Sequence, residues 1–103
     1  MKYQELSELT DGTYVVLDVN ESEMLLAIPL LPDFGYWVAT KPVTVSALVG
    51  QPHALIGIWT AEDGTVHIDH TIWVERLGAA AILGKQCYQT AIWDCANGNE
   101  IYL

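Results

Sequence analysis

The sequence predicts an α+β fold, in which an antiparallel sheet of about five to seven strands carries one main helix on one face. Short β-rich segments fill most of the chain, and turns that contain Gly, Pro or Asn separate them. The apolar period changes to that of a helix once, in residues 74–89. The length of 103 residues predicts a single domain over 1–103, because ordinary domains contain about 100–150 residues.

The first half of the chain contains β segments of moderate length. Residues 13–20, TYVVLDVN, follow the turn pair DG and predict a strand. Residues 24–28 predict a strand rather than a short helix, because two nearby prolines would stop a helix. Residues 36–40 and 43–49 predict two further strands, which the pair KP separates.

A hairpin is the clearest element of the sequence. Residues 54–60 and 65–74 are rich in β-branched and aromatic side chains, and the turn AEDG joins them. Residues 90–94, TAIWD, predict another strand. The turn pair NG follows, and the last three residues, IYL, predict a short terminal strand.

The helix predicted over residues 74–89 has one stripe that is expected to face the sheet. Small residues in it let the helix lie close to the strands that it covers, and Gly78 and Gly84 each weaken the helix by roughly 1 kcal/mol relative to Ala. A packing reason for these glycines is therefore expected. The stripe comprises Val74, Leu77, Ala81, Gly84 and Tyr88.

The charge balance excludes one class of partner. Thirteen acidic residues against four basic ones give a formal charge of −9. Because phosphate binding needs clustered Lys and Arg, direct nucleic-acid binding is not expected. The acidic residues are dispersed, which disfavours mimicry of DNA.

The chain shows no feature of a membrane or secreted protein. No apolar run reaches the ~18–20 residues of a membrane span, and the N-terminal segment lacks the basic and apolar regions of a signal peptide. A cytoplasmic protein without a membrane partner is therefore expected. Cys87 and Cys95 are expected to be reduced thiols, because the returning strand would separate them by about 16 Å.

Alternation of side chains sorts the strands into two faces. One face is aliphatic and is expected to be the core that the helix covers. The other face carries Trp59, Trp73 and Trp93 beside His67 and Asp69. The expected aliphatic set comprises Ile56, Ile58, Val66, Ile68, Ile72 and Ile92.

Tryptophan rings are rarely left in water, since each buries about 200 Å² when packed. Three covers for the second face are possible. The N-terminal strands could fold over it as a second layer. Alternatively, the face could form a homodimer interface, or it could line a pocket for a cationic or aromatic small molecule through cation–π contact.

The stretch HIDH, residues 67–70, invites a catalytic or metal-binding hypothesis. His67 and Asp69 share a face about 7 Å apart, but His70 points to the opposite side and His53 lies in another loop. A zinc site needs three or four ligands, and no nucleophile motif accompanies the pair. We therefore expect no metal, cofactor or catalytic residue, and a hydrolase or metalloenzyme that uses His67 and Asp69 is the least favoured hypothesis.

The last twenty residues, GKQCYQTAIWDCANGNEIYL, resemble the ending of small uncharacterised proteins from phages and integron-type mobile gene pools. The resemblance rests on Gln89, Ala91, Ile92, Trp93 and Asp94. It implies a bacterial accessory protein and carries no catalytic residue. From the residues themselves we expect a small acidic protein that acts by binding other proteins and associates as a homodimer. The alternative is a small-molecule-binding protein with a Trp-lined pocket.

Overall fold

A computed structural model describes residues 2–103 of the chain. Seven antiparallel strands and one α-helix confirm the predicted α+β class. The helix, α1, spans Leu77–Gln86. The strands are β1 (Gly12–Val19), β2 (Leu25–Pro29), β3 (Tyr36–Pro42), β4 (Ala54–Thr60), β5 (Val66–Val74), β6 (Ala91–Asp94) and β7 (Asn99–Tyr102).

The residues group into two compact units. The first unit contains the residues up to Leu30 together with Pro42–His70, and its strands are hydrogen-bonded in the order β2-β1-β4-β5. The second unit contains Leu31–Lys41 and Thr71–Leu103, with the order β5-β3-β6-β7. Strand β5 contributes residues to both units. The single domain over 1–103 stays a prediction.

The core of the first unit lies on one face of its strands. Tyr14 and Val16 of β1 lie directly across from Ile56 and Ala54 of β4, so their side chains share this face. Alternate residues of antiparallel strands point to opposite faces, and each of these strands places every second residue in the core. The buried members are Tyr14, Val16, Leu25, Leu48, Ile56 and Ile58.

Two short segments cover this core, and neither is an α-helix. Leu6 and Leu9 of the N-terminal segment pack against it, and Leu6–Glu8 forms a 3₁₀ turn. Leu48 is buried in the same core at the end of a second 3₁₀ turn, Ser46–Leu48. The expectation that the helix covers the whole aliphatic face is therefore wrong for Ile56, Ile58, Val66 and Ile68.

The core of the second unit lies beneath α1. Ala80 of the helix packs with Val38 of β3 and Ile92 of β6, and all three are almost fully buried. A Cβ at Gly84 would lie 2.6 Å from a methyl carbon of Leu103 and 3.0 Å from one of Ile92. The predicted packing reason is thus present at Gly84, because only a glycine lets the helix lie this close to the strands. It is wrong for Gly78, where a Cβ would meet no atom within 4 Å.

The helix is shorter than the predicted 74–89. Strand β5 continues to Val74, and Arg76 still has an extended backbone. At the other end Tyr88 has a φ of 59°, which stops the helix because a left-handed residue cannot continue it. The predicted stripe is wrong at Leu77 and Tyr88, which are 46 % and 94 % exposed.

The strand predicted over residues 43–49 is also wrong. Val45 has helical backbone angles, and the segment continues into a 3₁₀ turn. The hydroxyl of Thr44 accepts a hydrogen bond from the Ala47 N–H at 3.3 Å, and the Thr44 carbonyl accepts another from the same N–H at 3.1 Å. Such local bonds compete with strand pairing and outweigh the β-branched composition.

The structure also bears on the predicted positions of Ile72 and of the two cysteines. Ile72, assigned to the core, is 45 % exposed and contributes to neither buried cluster. The two cysteines are free thiols, as expected. In the part of the chain that the structure describes, no helix has both the length and the apolar character required to cross a membrane.

Candidate functional site

The first unit has a second sheet face, on the side of its strands opposite the buried core. Val15 of β1 lies opposite Ile28 of β2 and Leu55 of β4, so these three side chains point away from the core. They are half-buried, as expected for apolar side chains whose flanks touch their sheet neighbours. We call this surface the open face, and it comprises Thr13, Val15, Asp18, Leu26, Ile28, Leu55, Gly57, Trp59, His67 and Asp69.

Strands β1, β2 and β4 of the first unit are therefore apolar on both sides. Val15 and Val16 are neighbours in β1, as are Leu25 and Leu26 in β2 and Leu55 and Ile56 in β4. An antiparallel sheet with one solvated face normally alternates apolar and polar residues, whereas unbroken apolar runs are typical of strands covered on both faces. The runs were visible in the sequence and are the signal that the sequence analysis missed.

Gly57 marks a gap in the middle of the open face. A Cβ built on Gly57 has no other atom within 4 Å, so the space above this residue is empty. Gly57 lies on β4 between Leu55 and Trp59, and directly across from Thr13 and Asp69. The face is thus a shallow depression with an apolar side, an indole and a carboxylate around it.

Trp59 is held at one end of this depression. Its ring stacks on the imidazole of His67, with 4.0 Å between the ring centroids and an interplanar angle of 10°. The indole N–H donates a hydrogen bond to a carboxylate oxygen of Asp69 at 3.1 Å. The side chain is nevertheless 48 % exposed. The structure therefore brings together three of the predicted site residues and leaves much of the indole open to a partner.

Two further carboxylates are fixed near the turn between β4 and β5. Asp63 accepts a hydrogen bond from the Thr65 N–H at 2.9 Å. Hydrogen bonds from the hydroxyl and backbone of Thr65 hold the pKa of Asp63 below its ordinary value, and His67 lowers it further. Asp11 accepts bonds from the hydroxyl and N–H of Thr60 at 2.8 and 3.2 Å. Both carboxylates are therefore held in position by hydrogen bonds within the unit.

The negative charge of the protein is concentrated in the first unit. This unit holds nine Asp and Glu residues and one basic residue, Lys2, which gives a charge of −8. The second unit holds four acidic and three basic residues, which gives −1. The two add up to the −9 of the whole chain. A partner of the open face therefore approaches the unit that carries most of the net negative charge of the chain.

Trp73 and Trp93 belong to the second unit and have different surroundings. The Trp73 indole N–H donates to the Phe34 carbonyl at 2.9 Å, and the two rings meet edge to face at 4.9 Å. Trp93 lies opposite Trp37 and Glu100 and is 42 % exposed. Strand β1 pairs beside β4 in the sheet, so the suggestion that the N-terminal strands cover Trp59 as a second layer is wrong.

The contacts of His67 and Asp69 differ from those of a catalytic pair. Asp69 binds the Trp59 N–H, and the His67 ring lies flat against the same indole. Within residues 2–103, no three His, Cys, Asp or Glu residues are grouped as a metal site would require. Both side chains therefore make their described contacts with the Trp59 indole.

A cleft elsewhere in the first unit has a volume of about 220 Å³, below the ~300 Å³ at which small-molecule pockets begin. It is lined by Val16–Val19 and by residues 48 and 50–52. None of the predicted site residues contributes to it. A Trp-lined pocket is therefore not the arrangement at this cleft.

Comparison of the chain with protein-family models, with curated proteins and with solved structures gives no match.

Proposed function

We propose that this protein acts by binding another protein, and that the open face of the first unit is its binding surface. The observation that carries the proposal is the apolar character of both faces of β1, β2 and β4, of which only one forms the buried core of the unit. Contiguous exposed apolar surface on a globular protein commonly marks an interaction site.

The charge of the first unit indicates the chemistry of the partner. Asp69 lies beside Trp59 at one end of the open face, and Asp18 lies opposite Leu26 at the other. Asp18 also accepts a hydrogen bond from the Tyr3 hydroxyl. Two copies associating through this face would bring together two units of charge −8, whereas a basic protein surface with an apolar centre would match both the rim and the middle. We therefore assign the open face to a basic protein partner.

The depression at Gly57 suits a Lys or Arg side chain from such a partner. The aliphatic stem would lie over Gly57 against Leu55, and the cation would approach the Asp69 carboxylate and the Trp59 ring. Charged groups near an indole gain cation–π attraction as well as Coulomb attraction. This arrangement retains the cationic element of the small-molecule hypothesis, since both depend on Trp59 and Asp69.

A synthetic peptide of alternating lysine and valine, tested beside one of alternating glutamate and valine, probes this chemistry directly. We expect titration calorimetry to detect binding of the lysine peptide only, and we expect the affinity to fall as salt screens the carboxylates. Gly57→Val should fold normally, because its Cβ enters empty space, and should weaken binding more than tenfold by filling the depression.

Gly78→Val is the matched control, since a Cβ at Gly78 in α1 also meets no atom within 4 Å. It should bind the lysine peptide as the wild type does. Equal binding by wild type and Gly57→Val would show that charge alone attracts the peptide and would overturn the proposed surface. A quaternary ammonium salt that binds at Trp59 should shield the indole from a fluorescence quencher. Such shielding, in a protein that does not bind the peptide, would instead favour the small-molecule alternative.

A further inference from the structure

The two outermost strands, β2 and β7, differ in how their free edges are protected. Gln4 forms two backbone hydrogen bonds with Leu25 at the start of β2, both 2.8 Å long. Pro29 ends the same strand and has no N–H to offer. Natural sheets use such devices to prevent pairing with another chain. The edge of β2 is therefore closed at both ends.

Neither of these two devices, a backbone bridge or a proline, is found at the edge of β7 among residues 2–103. The Leu103 N–H donates to the Thr90 carbonyl at 2.9 Å. Hydrogen-bonded and non-hydrogen-bonded pairs alternate along an antiparallel ladder, so the register assigns Ile101 and Asn99 to bonds with β6. The N–H and C=O groups of Glu100 and Tyr102 consequently point outward from the sheet.

We propose that β7 pairs with β7 of a second copy of this chain, antiparallel and about a two-fold axis at Ile101. In that register Glu100 of each copy lies opposite Tyr102 of the other, and each such pair exchanges two backbone hydrogen bonds. The two outward-facing residues thus satisfy each other. The interface is isologous, as expected for a two-fold dimer.

Charge favours both this partner and this register. The second unit has a charge of only −1, so a second copy meets little repulsion there. Glu100 is the only charged side chain of β7. A two-fold axis at Glu100 would place two carboxylates directly opposite each other, which is destabilising, whereas the axis at Ile101 places each carboxylate opposite a tyrosine.

Side-chain exposure supports the same edge. Tyr102 is 77 % exposed, and it shares a sheet face with Glu100 and Trp93 because these residues alternate with Ile101 and Ile92. Pairing would lay Tyr102 of one copy against Glu100 of the other, next to the half-exposed Trp93. The edge contact would therefore remove aromatic surface from water in addition to satisfying the backbone.

Sedimentation velocity over a range of concentrations, with variants at the edge, tests this dimer. We expect the wild type to dimerise reversibly and Tyr102→Pro to weaken association at least tenfold. The proline removes an outward N–H and leaves the bonds to β6 intact. Ala27→Pro is the control, because it removes the corresponding outward N–H of β2. The Leu30 N–H donates to the Thr13 carbonyl, and the register then directs the Ala27 N–H away from β1. This variant should associate as the wild type does.

A charge pair at Tyr102 tests the register without relying on proline. Tyr102→Lys would face Glu100 of the second copy and should strengthen association, whereas Tyr102→Glu should weaken it, with the difference lost at high salt. Tyr88 is 94 % exposed, and Tyr88→Lys and Tyr88→Glu make the same charge changes elsewhere. A monomeric wild type at all concentrations, an unaffected Tyr102→Pro variant, or equal effects at Tyr88 and Tyr102 would each overturn the proposal.

Discussion

The two units of this protein use similar β-strands but differ in charge and in what they leave uncovered. The first unit has a charge of −8, covers one sheet face with short segments and leaves an apolar face open. The second has a charge of −1 and covers one face with α1, and among residues 2–103 no strand pairs with the outer edge of β7. The comparison indicates that the two units suit different partners. The first offers an apolar face on an acidic unit, and the second offers unpaired backbone groups at a nearly neutral edge.

The largest effect expected from this comparison is in the covered face of the first unit. Ile56→Ala removes a fully buried side chain and should lower the free energy of unfolding by about 2–5 kcal/mol. Urea denaturation followed by tryptophan fluorescence measures the change. A loss below about 0.5 kcal/mol, the range of ordinary surface substitutions, would contradict the assignment of this face to the core.

The next largest effect is expected in the loop that supports Trp73 in the second unit. Gly35 has a φ of 80°, and a Cβ there would lie 2.4 Å from the Trp73 ring. Gly35→Ala should therefore lower the free energy of unfolding by about 1–3 kcal/mol, through overpacking and backbone strain. Gly50→Ala is the control, since Gly50 also has a positive φ but open space around it. It should lower the free energy of unfolding by less than Gly35→Ala does.

A smaller effect, which depends on pH, is expected at the turn between β6 and β7. The side-chain amide of Asn97 donates to Asp94 at 2.7 Å, and this bond, with the backbone N–H groups of Asn97 and Ala96, holds the Asp94 pKa below its ordinary value. A carboxylate with a lower pKa in the folded state stabilises the fold above the unfolded pKa of about 3.9.

That contribution should be lost as the pH falls through the folded-state pKa of Asp94. Asp94→Asn keeps one side-chain oxygen and removes the charge. Between pH 6 and pH 2 the thermal midpoint of this variant should therefore fall less than the wild-type midpoint does. The difference between the two falls is the contribution of the Asp94 carboxylate. Identical pH profiles for the two proteins would mean that the turn does not depend on the ionised form.

The smallest change in stability is expected on the open face. Leu55 is the chain neighbour of Ile56 but points to the opposite side and is only half-buried. Leu55→Ala should cost about 1 kcal/mol or less, as for a side chain outside the core, while weakening binding of the lysine–valine peptide. A loss as large as that of Ile56→Ala would mean that Leu55 already has a cover in the free protein.

Much of this arrangement was predictable from the sequence. The hairpin of β4 and β5 followed from two β-rich runs and a turn ending in Gly64, and its register places Trp59 beside His67 and Asp69 as alternation predicted. The tight contact at Gly84 was expected from the small residues of the helix. These features depend on local patterns, which a sequence carries directly.

The errors concern features that depend on distant parts of the chain. Residues 43–49 have a β-branched composition, yet the bonds to Thr44 turn them into the cover of the first core. Ile72 was placed in the core by alternation, but alternation does not say whether anything lies above a side chain. For the same reason the tryptophans predict a binding surface from the sequence, whereas the surface formed by Val15, Leu26, Ile28 and Leu55 emerges only from the strand register.

The central claim is that a basic partner binds the open face and not the rest of the acidic surface. An NMR titration of the methyl signals with the lysine–valine peptide tests this claim most directly. We predict that the methyl signals of Val15, Ile28 and Leu55 shift together and saturate, while those of Val16 and Ile56 stay in place. Shifts spread over the whole chain, or confined to residues outside this face, would contradict the account.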